Sequence, residues 1–593
     1  MILSSLRDMA IREGLTANSA FEQKRVKWVI SLDESGHFLG LTDTLSDTAV
    51  TSGNKKPKPL AKTMWIPRQL VRSGIHPPPY FLVDKSEYVL GIEPDGKRSV
   101  ADLENRRSSF LEQMQAASVA TGSPELQATV KFLSSEKDRE NCVAEVTKKG
   151  YGSGDLFTFK VEGQMLNTDA NVRAYCNSLS VGVGEATKET RQCLVCGEVR
   201  DPVRLHDQIS GLGDDRCALV SFNKGKDAFE KYNMDGNENA PICKPCMTSY
   251  VEALRRCLSD GYMCPDDPDG TFSKQSVKLT DNTTAIFWAS VECGILDVLP
   301  HLGDRPADVK SALESPWKGQ RPGPFQTERF HCLVITGAKG RAIIRGLHTG
   351  TLGGLVESLQ RYFDCLAVPG SKPEEPMLLR RILRSLARQP KPPAKPIDPP
   401  AGLAKDLFLA AVLGHPLPRR VLSGTAARNV AEQKVTPERA ALLHLYFALQ
   451  PNTEKPPMSL DVNNPDPAYR LGRLLAVLEA IQYQAQGALN KNVVNRYYSA
   501  AATRPGSVFP RMLELTQHHL AKLPTRSRIS RQKQLGEVVN ELIAFSPMQT
   551  LEEQGRFALG YYHQRYANFQ KAAPETASNT DNAEPTNEEG EKA

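Results

Sequence analysis

Cys193-Leu-Val-Cys196 and Cys243-Lys-Pro-Cys246 are the residues whose types and spacing point most directly to chemistry. Two thiolates separated by two residues can grip one ion from a tight turn, and two such turns complete a tetrahedral site. The pattern predicts zinc on Cys193, Cys196, Cys243 and Cys246. The gap between the pairs is longer than in the commonest short fingers, an insertion that zinc ribbons tolerate. Four thiolates leave no open position for a catalytic water, so the expected role is structural. The plain alternative is two unrelated pairs of buried cysteines. A catalytic reading starts from the zinc nucleobase deaminases, which place a glutamate two residues after a His or Cys ligand and follow it with Pro-Cys-x-x-Cys. Cys196-Gly197-Glu198 fits the first half. The second half fails, because Ile242 separates Pro241 from Cys243, and the first pair supplies one cysteine too many. His206-Asp207 is a pair of the kind found in metal-dependent nucleases, but it stands alone, and His518-His519 reads as surface or packing on a helix. There is no phosphate-cradling Gly-x-x-x-x-Gly-Lys-Ser/Thr loop and no His-Glu-x-x-His helix.

The charge distribution adds a second lead. The net charge of the 593 residues is only +6, so a nucleic-acid surface has to be local. Between Asp47 and Asp84 no acidic residue occurs, while Lys55, Lys56, Lys58, Lys62, Arg68 and Arg72 all fall there, with Asn54 and Trp65 among them. Gly53 and several prolines make the stretch loop-like, which predicts side chains reaching outward into a groove. Lysines would neutralise phosphates, while Asn54, Arg68 or Arg72 could read base edges. A solvated basic loop is the alternative. Arg380, Arg381, Arg384 and Arg388 form a second basic patch, and helical spacing puts most of them on one side, suited to a phosphate backbone or an acidic partner.

The elements that must position these groups are mixed at first and helical later. Lys27–Leu32 reads as a strand, Glu34-Ser35-Gly36 as a turn and His37–Leu41 as its antiparallel return. His331–Ile335 and Arg341–Arg345 read as a hairpin turned by Gly337–Gly340. The proline-rich run Gln389–Pro400 breaks all periodicity and is expected to be a semi-rigid linker. Beyond it, Asp466 can cap a helix that has Pro467 in its first turn and Leu471, Leu474, Leu475 and Leu478 at helical spacing. Leu535, Val538, Val539 and Leu542 repeat that spacing, and Thr550 with Glu553 makes a capping box before Phe557, Tyr561, Tyr562, Tyr566 and Phe569. The expected class is therefore α+β: a mixed N-terminal region with a zinc-ribbon-like insertion, followed by a C-terminal helical bundle. The expected division is α+β over 1–185 and 261–370, the insertion over 186–260, a basic helix and linker over 371–403, the bundle over 404–573 and a disordered acidic tail over 574–593. Apolar residues are 40% of the chain, enough for large cores, and the apolar run near Leu407–Leu413 is far too short to span a bilayer. No signal peptide is visible, and a cytoplasmic chain is expected.

Several stretches together carry a family likeness. They are Met1-Ile-Leu3, Val26-Lys-Trp-Val-Ile30, Phe81–Gly91, Cys193–Glu198, Leu219–Asn223, Asn239-Ala-Pro241 and Glu553–Arg565. In that order, over almost the whole length, they resemble the large subunit of the subtype I-C CRISPR interference complex, Cascade. The second cysteine pair departs from the family pattern. The resemblance implies a non-catalytic role inside a ribonucleoprotein, in which guide RNA reads the target and protein reads a short flanking motif, the PAM, in duplex DNA. Residues 1–185 would then be the flank-recognition region. The implied partners are the guide RNA complex, target duplex and displaced strand, the Cascade backbone and guide-end subunits, and a separate helicase-nuclease, with no membrane. A small helical subunit translated from within the same gene is also implied, and Met458 offers a start between Pro451–Pro457 and the capped helix at Asp466. The alternative class is a zinc-dependent nucleic-acid-processing enzyme, a nuclease or deaminase.

Overall fold

The protein is described from a computed structural model over residues 2–16, 20–45, 59–69, 77–182, 190–213, 215–222, 234, 236–264, 270–314, 326–371, 376–388, 402–451, 453–487, 489–540, 542 and 544–570. The linker 389–400 and the tail from 573 lie outside these residues. Two compact units emerge, Met1–Ser276 with Asn282–Ser290 and Leu333–Leu347, and Val277–Asp281 with Val291–Cys332 and His348–Ala593.

In the first unit Trp28–Leu32 pairs antiparallel with Phe38–Asp43 and parallel with Leu156–Val161, which Asp84–Lys85 and Gln164–Met165 extend. The expected hairpin at 27–41 is present. Its turn is tight because Gly36 has φ +86° and a Cβ there would sit 2.4 Å from the Ala128 carbonyl oxygen. Trp28, Ile30, Phe157 and Phe159 are fully buried, together with Phe110, Met114 and Phe132 from helices covering the sheet. Those helices, Val100–Thr121, Pro124–Ser134 and Glu136–Lys149, each start on a serine whose side chain accepts a main-chain amide: Ser99, Ser123 and Ser135. A second core packs helix Ile2–Arg12 against helix Lys244–Leu258, with Leu6, Met9, Tyr250, Leu254, Ile286, Trp288, Leu333 and Ile335 buried together.

The hairpin expected at 331–345 forms from Arg329–Ala338 and Arg341–Thr351. Its turn is shorter than expected. Lys339 and Gly340 both have positive φ, as a two-residue hairpin turn requires, and Gly337 stays inside the strand. Glycine is needed at 337 for approach, since a Cβ would lie 2.0 Å from the Leu212 carbonyl oxygen.

The second unit is largely helical, and α+β is the class of the whole chain, as expected. Asp466 accepts the Tyr469 amide at 2.8 Å and opens helix Pro467–Gln486. Leu471, Leu474, Leu475 and Leu478 are buried. Thr550 and Glu553 make the reciprocal capping bonds ahead of helix Leu551–Gln570, which buries Phe557, Tyr561 and Tyr562. The Tyr561 hydroxyl donates to Glu479 at 2.8 Å, and Arg565 adds a second donor at 3.1 Å. The two helix backbones touch: a Cβ on Gly472 would be 2.0 Å from the Phe557 carbonyl oxygen, and one on Gly560 2.0 Å from that of Tyr469.

Candidate functional site

The first cysteine pair sits at the tip of a short hairpin, Arg191–Gln192 paired antiparallel with Val199–Arg200. The knuckle closes on its own main chain. Cys193 donates to the Glu198 carbonyl at 2.8 Å, and Gly197 donates to the Cys193 carbonyl at 2.9 Å. Gly197 holds φ +80°, a left-handed conformation that a side chain would strain. The second pair opens helix Lys244–Leu258, with Cys243 at its N-cap and Pro245 and Cys246 in its first turn. The positive end of that helix favours an anionic site. The two limbs are tied at 2.9 Å by Leu194 donating to Pro241 and by Val203 donating to Ile242.

The four sulfurs lie within 4.8 Å of one another and could hold one metal ion. A tetrahedral zinc with Zn–S near 2.3 Å sets its sulfurs about 3.8 Å apart. Cys196 Sγ and Cys243 Sγ are 3.8 Å apart, so the donor set fits such an ion. Burial raises the Cys193 thiol, but the amides of Cys196, Cys243 and Val195 outweigh it and bring its pKa down to about 6. Burial pushes the Cys243 and Cys246 thiols up.

The other candidate catalytic groups do not converge. Glu198 is exposed and meets the site only through its main-chain carbonyl. His206 is buried, with Nδ1 2.6 Å from the Tyr250 hydroxyl, and burial depresses its pKa to about 4. Asp207 instead receives Arg68. Among the described residues, the four cysteines are the one group of three or more side chains able to share a metal. His518 is exposed and His519 partly so, both lining an open groove with Lys491, Arg496 and Tyr497.

The family model for CRISPR-associated protein (Cas_Csd1) matches residues 6–569. The chain belongs to that family. No curated protein matches it.

In this Cas_Csd1 protein, Asn54, Lys55, Lys56, Lys58 and Arg72 lie outside the described residues. Lys62 is exposed at the start of strand Thr63–Pro67, which pairs antiparallel with Phe21–Arg25. Arg68 corrects the expectation of an outward basic row. Its Nη1 donates to Asp207 at 2.8 Å, and its Nη2 donates to Glu252 at 2.9 Å and to the Phe21 carbonyl at 3.1 Å. Burial opposes charge on Glu252, yet Arg255 and Arg68 beside it hold its carboxyl below the usual range. Arg68 therefore faces inward onto these partners. Its partners, 139 and 184 residues away, carry no local sequence signal. Arg380, Arg381, Arg384 and Arg388 are all exposed, while Leu379, Ile382 and Leu386 of helix Leu379–Leu386 are buried. Arg381 reaches Glu438 at 2.6 Å. Among the described residues, no helix of this Cas_Csd1 protein is long and apolar enough to cross a membrane.

Proposed function

We infer that the chain is the non-catalytic large subunit of a subtype I-C interference complex, with zinc on its four cysteines as a structural ion. It reads the flanking motif in duplex DNA, helps open the duplex, holds the displaced strand and helps recruit a separate helicase-nuclease. The observation that carries this reading is the family match from 6 to 569. The four-thiolate donor set supports a structural ion, since it leaves no position for a reacting water. The exposed Lys62 and the exposed arginines of helix Leu379–Leu386 support phosphate contacts. A nuclease or deaminase is the less supported reading, because Asp207 is taken up by Arg68 and the Glu198 carboxylate is exposed.

The test uses the complex assembled with guide RNA on target duplexes that differ only in the flank. Alanine at Lys55, Lys56, Lys58 and Lys62 should weaken binding to every flank. It should also flatten the dependence of log K on log salt, by about 0.9 for each phosphate that is no longer neutralised. Unchanged binding and an unchanged salt slope would remove the basic stretch from the interface. The isolated chain, with divalent metal, should neither cut nor deaminate DNA; either activity would overturn the non-catalytic reading.

The small helical partner is a chain started at Met458. Residues 458–573 contain 14 Lys or Arg against 8 Asp or Glu, a balance suited to a single strand. Such a chain keeps the helices from Pro467–Gln486 to Leu551–Gln570 whole. Expression of the gene alone should yield a second product of about 15 kDa, at the mean residue mass of this 65.3 kDa chain. That product should vanish when the Met458 codon is changed to a non-start codon. Its absence from the unmodified gene would sink the idea.

A further inference from the structure

Arg68 joins two features that the sequence keeps far apart. It directly follows strand Thr63–Pro67, inside the basic stretch that runs from Lys55 to Arg72. Its two carboxylate acceptors come from opposite limbs of the cysteine site. Asp207 belongs to the chain leaving the first pair. That chain is laid along the second pair: Pro202 bridges to Cys243, Val203 donates to Ile242, His206 meets Tyr250, and the Asp207 amide lies 3.5 Å from the Met247 sulfur. Glu252 belongs to the helix that the second pair opens, six residues after Cys246 and on its buried side. Glu252 is itself held by Arg255 at 2.8 Å and by the Tyr262 hydroxyl at 2.8 Å. The next residue continues the anchorage. The Gln69 amide donates to Glu22, and its side chain donates to the Val83 carbonyl and accepts from Lys24. One guanidinium thus closes a bracket whose arms are brought together by the four sulfurs.

We propose that Arg68 is a positioning residue through which the metal site sets the placement of strand Thr63–Pro67 and of Lys62 at its start. The proposal rests on the DNA-flank reading given above for what that placement serves. The physical reason is geometric. A planar guanidinium satisfies two carboxylates only when both stand at fixed positions, and those positions depend on the two limbs being clipped together. Without the metal, the limb carrying Asp207 separates from the helix carrying Glu252, and Arg68 keeps one acceptor at most. Strand Thr63–Pro67 and Lys62 then lose their fixed position although the side chains themselves are unchanged.

Two readouts test this on the full chain. The first needs no DNA. Hydrogen exchange is followed with and without a zinc chelator. Exchange should rise at 191–213 and the start of helix Lys244–Leu258, and also at 63–69. In Asp207→Asn, exchange at 63–69 should already be raised, and the chelator should add little there, as two perturbations of one link require. The second readout is the ratio of affinities for preferred and non-preferred flanks in the assembled complex. Asp207→Asn should lower that ratio by about tenfold, within the usual range for coupled sites, and leave the salt slope unchanged. Arg68→Lys, which keeps the charge but not the fork, should show an intermediate ratio. Exchange at 63–69 that ignores the chelator while 191–213 loosens would overturn the coupling, whatever the chain binds. An unchanged flank ratio in Asp207→Asn would overturn the positioning role, provided that replacing the lysines does weaken binding. If the lysine replacements have no effect either, the flank reading itself has failed, and the exchange result alone decides the coupling.

Discussion

Replacing Cys243 and Cys246 with serine should release the proposed zinc and loosen residues 190–213 and 236–258, the largest single effect expected of any substitution. The residues concerned are not on the surface. Cys193, Cys243 and Cys246 are buried in the same core as Ile242, Met247 and Tyr250. A structural zinc contributes about 10–16 kcal/mol of apparent binding energy in small peptides, comparable to the whole stability of a domain. Two serines cannot replace two thiolates on such an ion, and the knuckle Cys193–Gly197 then has only its own main-chain turn and the Leu194–Pro241 bond to hold it. The unmodified protein should contain one zinc per chain by elemental analysis, and the double variant less than about a tenth of that. Limited proteolysis should cut the variant within 190–258 and leave the parent intact there. A parent that carries no stoichiometric metal would end the assignment.

Gly472→Ala is expected to destabilise the second unit by about 2–3 kcal/mol, the upper part of the range for overpacking a close-packed core. The sign is the informative part. Alanine is favoured over glycine in a helix interior by about 1 kcal/mol, so on a free helix the change would stabilise. Here the new Cβ would meet the Phe557 carbonyl oxygen at 2.0 Å and the Tyr561 amide nitrogen at 2.7 Å. Both are backbone atoms of another helix, and neither can rotate away. Gly560→Ala should behave alike, since its Cβ meets the Tyr469 carbonyl. Gly536→Ala is the control, because nothing lies within 4 Å of a Cβ there and helix Thr525–Val539 should gain slightly. Urea unfolding of the three variants would decide it. Gly472→Ala at or above the parent midpoint would show that the helices do not approach as described.

Much of this fold is legible where a local rule acts alone. The Asp466 cap, the Thr550–Glu553 box and the leucines of 471–478 depend on neighbours within one or two turns, and the structure bears them out. The cysteine cluster is legible for the same reason twice over, since each pair is its own turn and only their meeting has to be supposed. Arg68 shows where local reading fails. Its surroundings in sequence are basic and proline-rich, so it resembles one more outward cation. What turns it inward is a pair of carboxylates from distant parts of the chain, and a buried arginine without such partners would be an uncompensated charge. The helices Val100–Thr121 and Glu136–Lys149 are also faint in the sequence. They carry many charges and weak apolar periodicity, and only their serine caps mark where they begin.

The glycine contact in the second unit also sets an order of events in folding. Sixty-four residues, 487–550, separate helices Pro467–Gln486 and Leu551–Gln570. Helices Val493–Thr503, Pro505–Ala521 and Thr525–Val539 follow one another with connections of one to three residues, so their pairing is local and fast. Joining Gly472 to Gly560 must close the whole loop first, an entropic penalty that grows with its length. Until then helix Pro467–Gln486, buried at nearly every position from Ala468 to Ile481 in the finished protein, shows to water the side that helix Leu551–Gln570 covers, while the helices between them pack on the rest. A chain that ended between Gln486 and Leu551 would be left with that part uncovered. It would associate with whatever apolar face it met first, so products ending there should be insoluble rather than merely inactive.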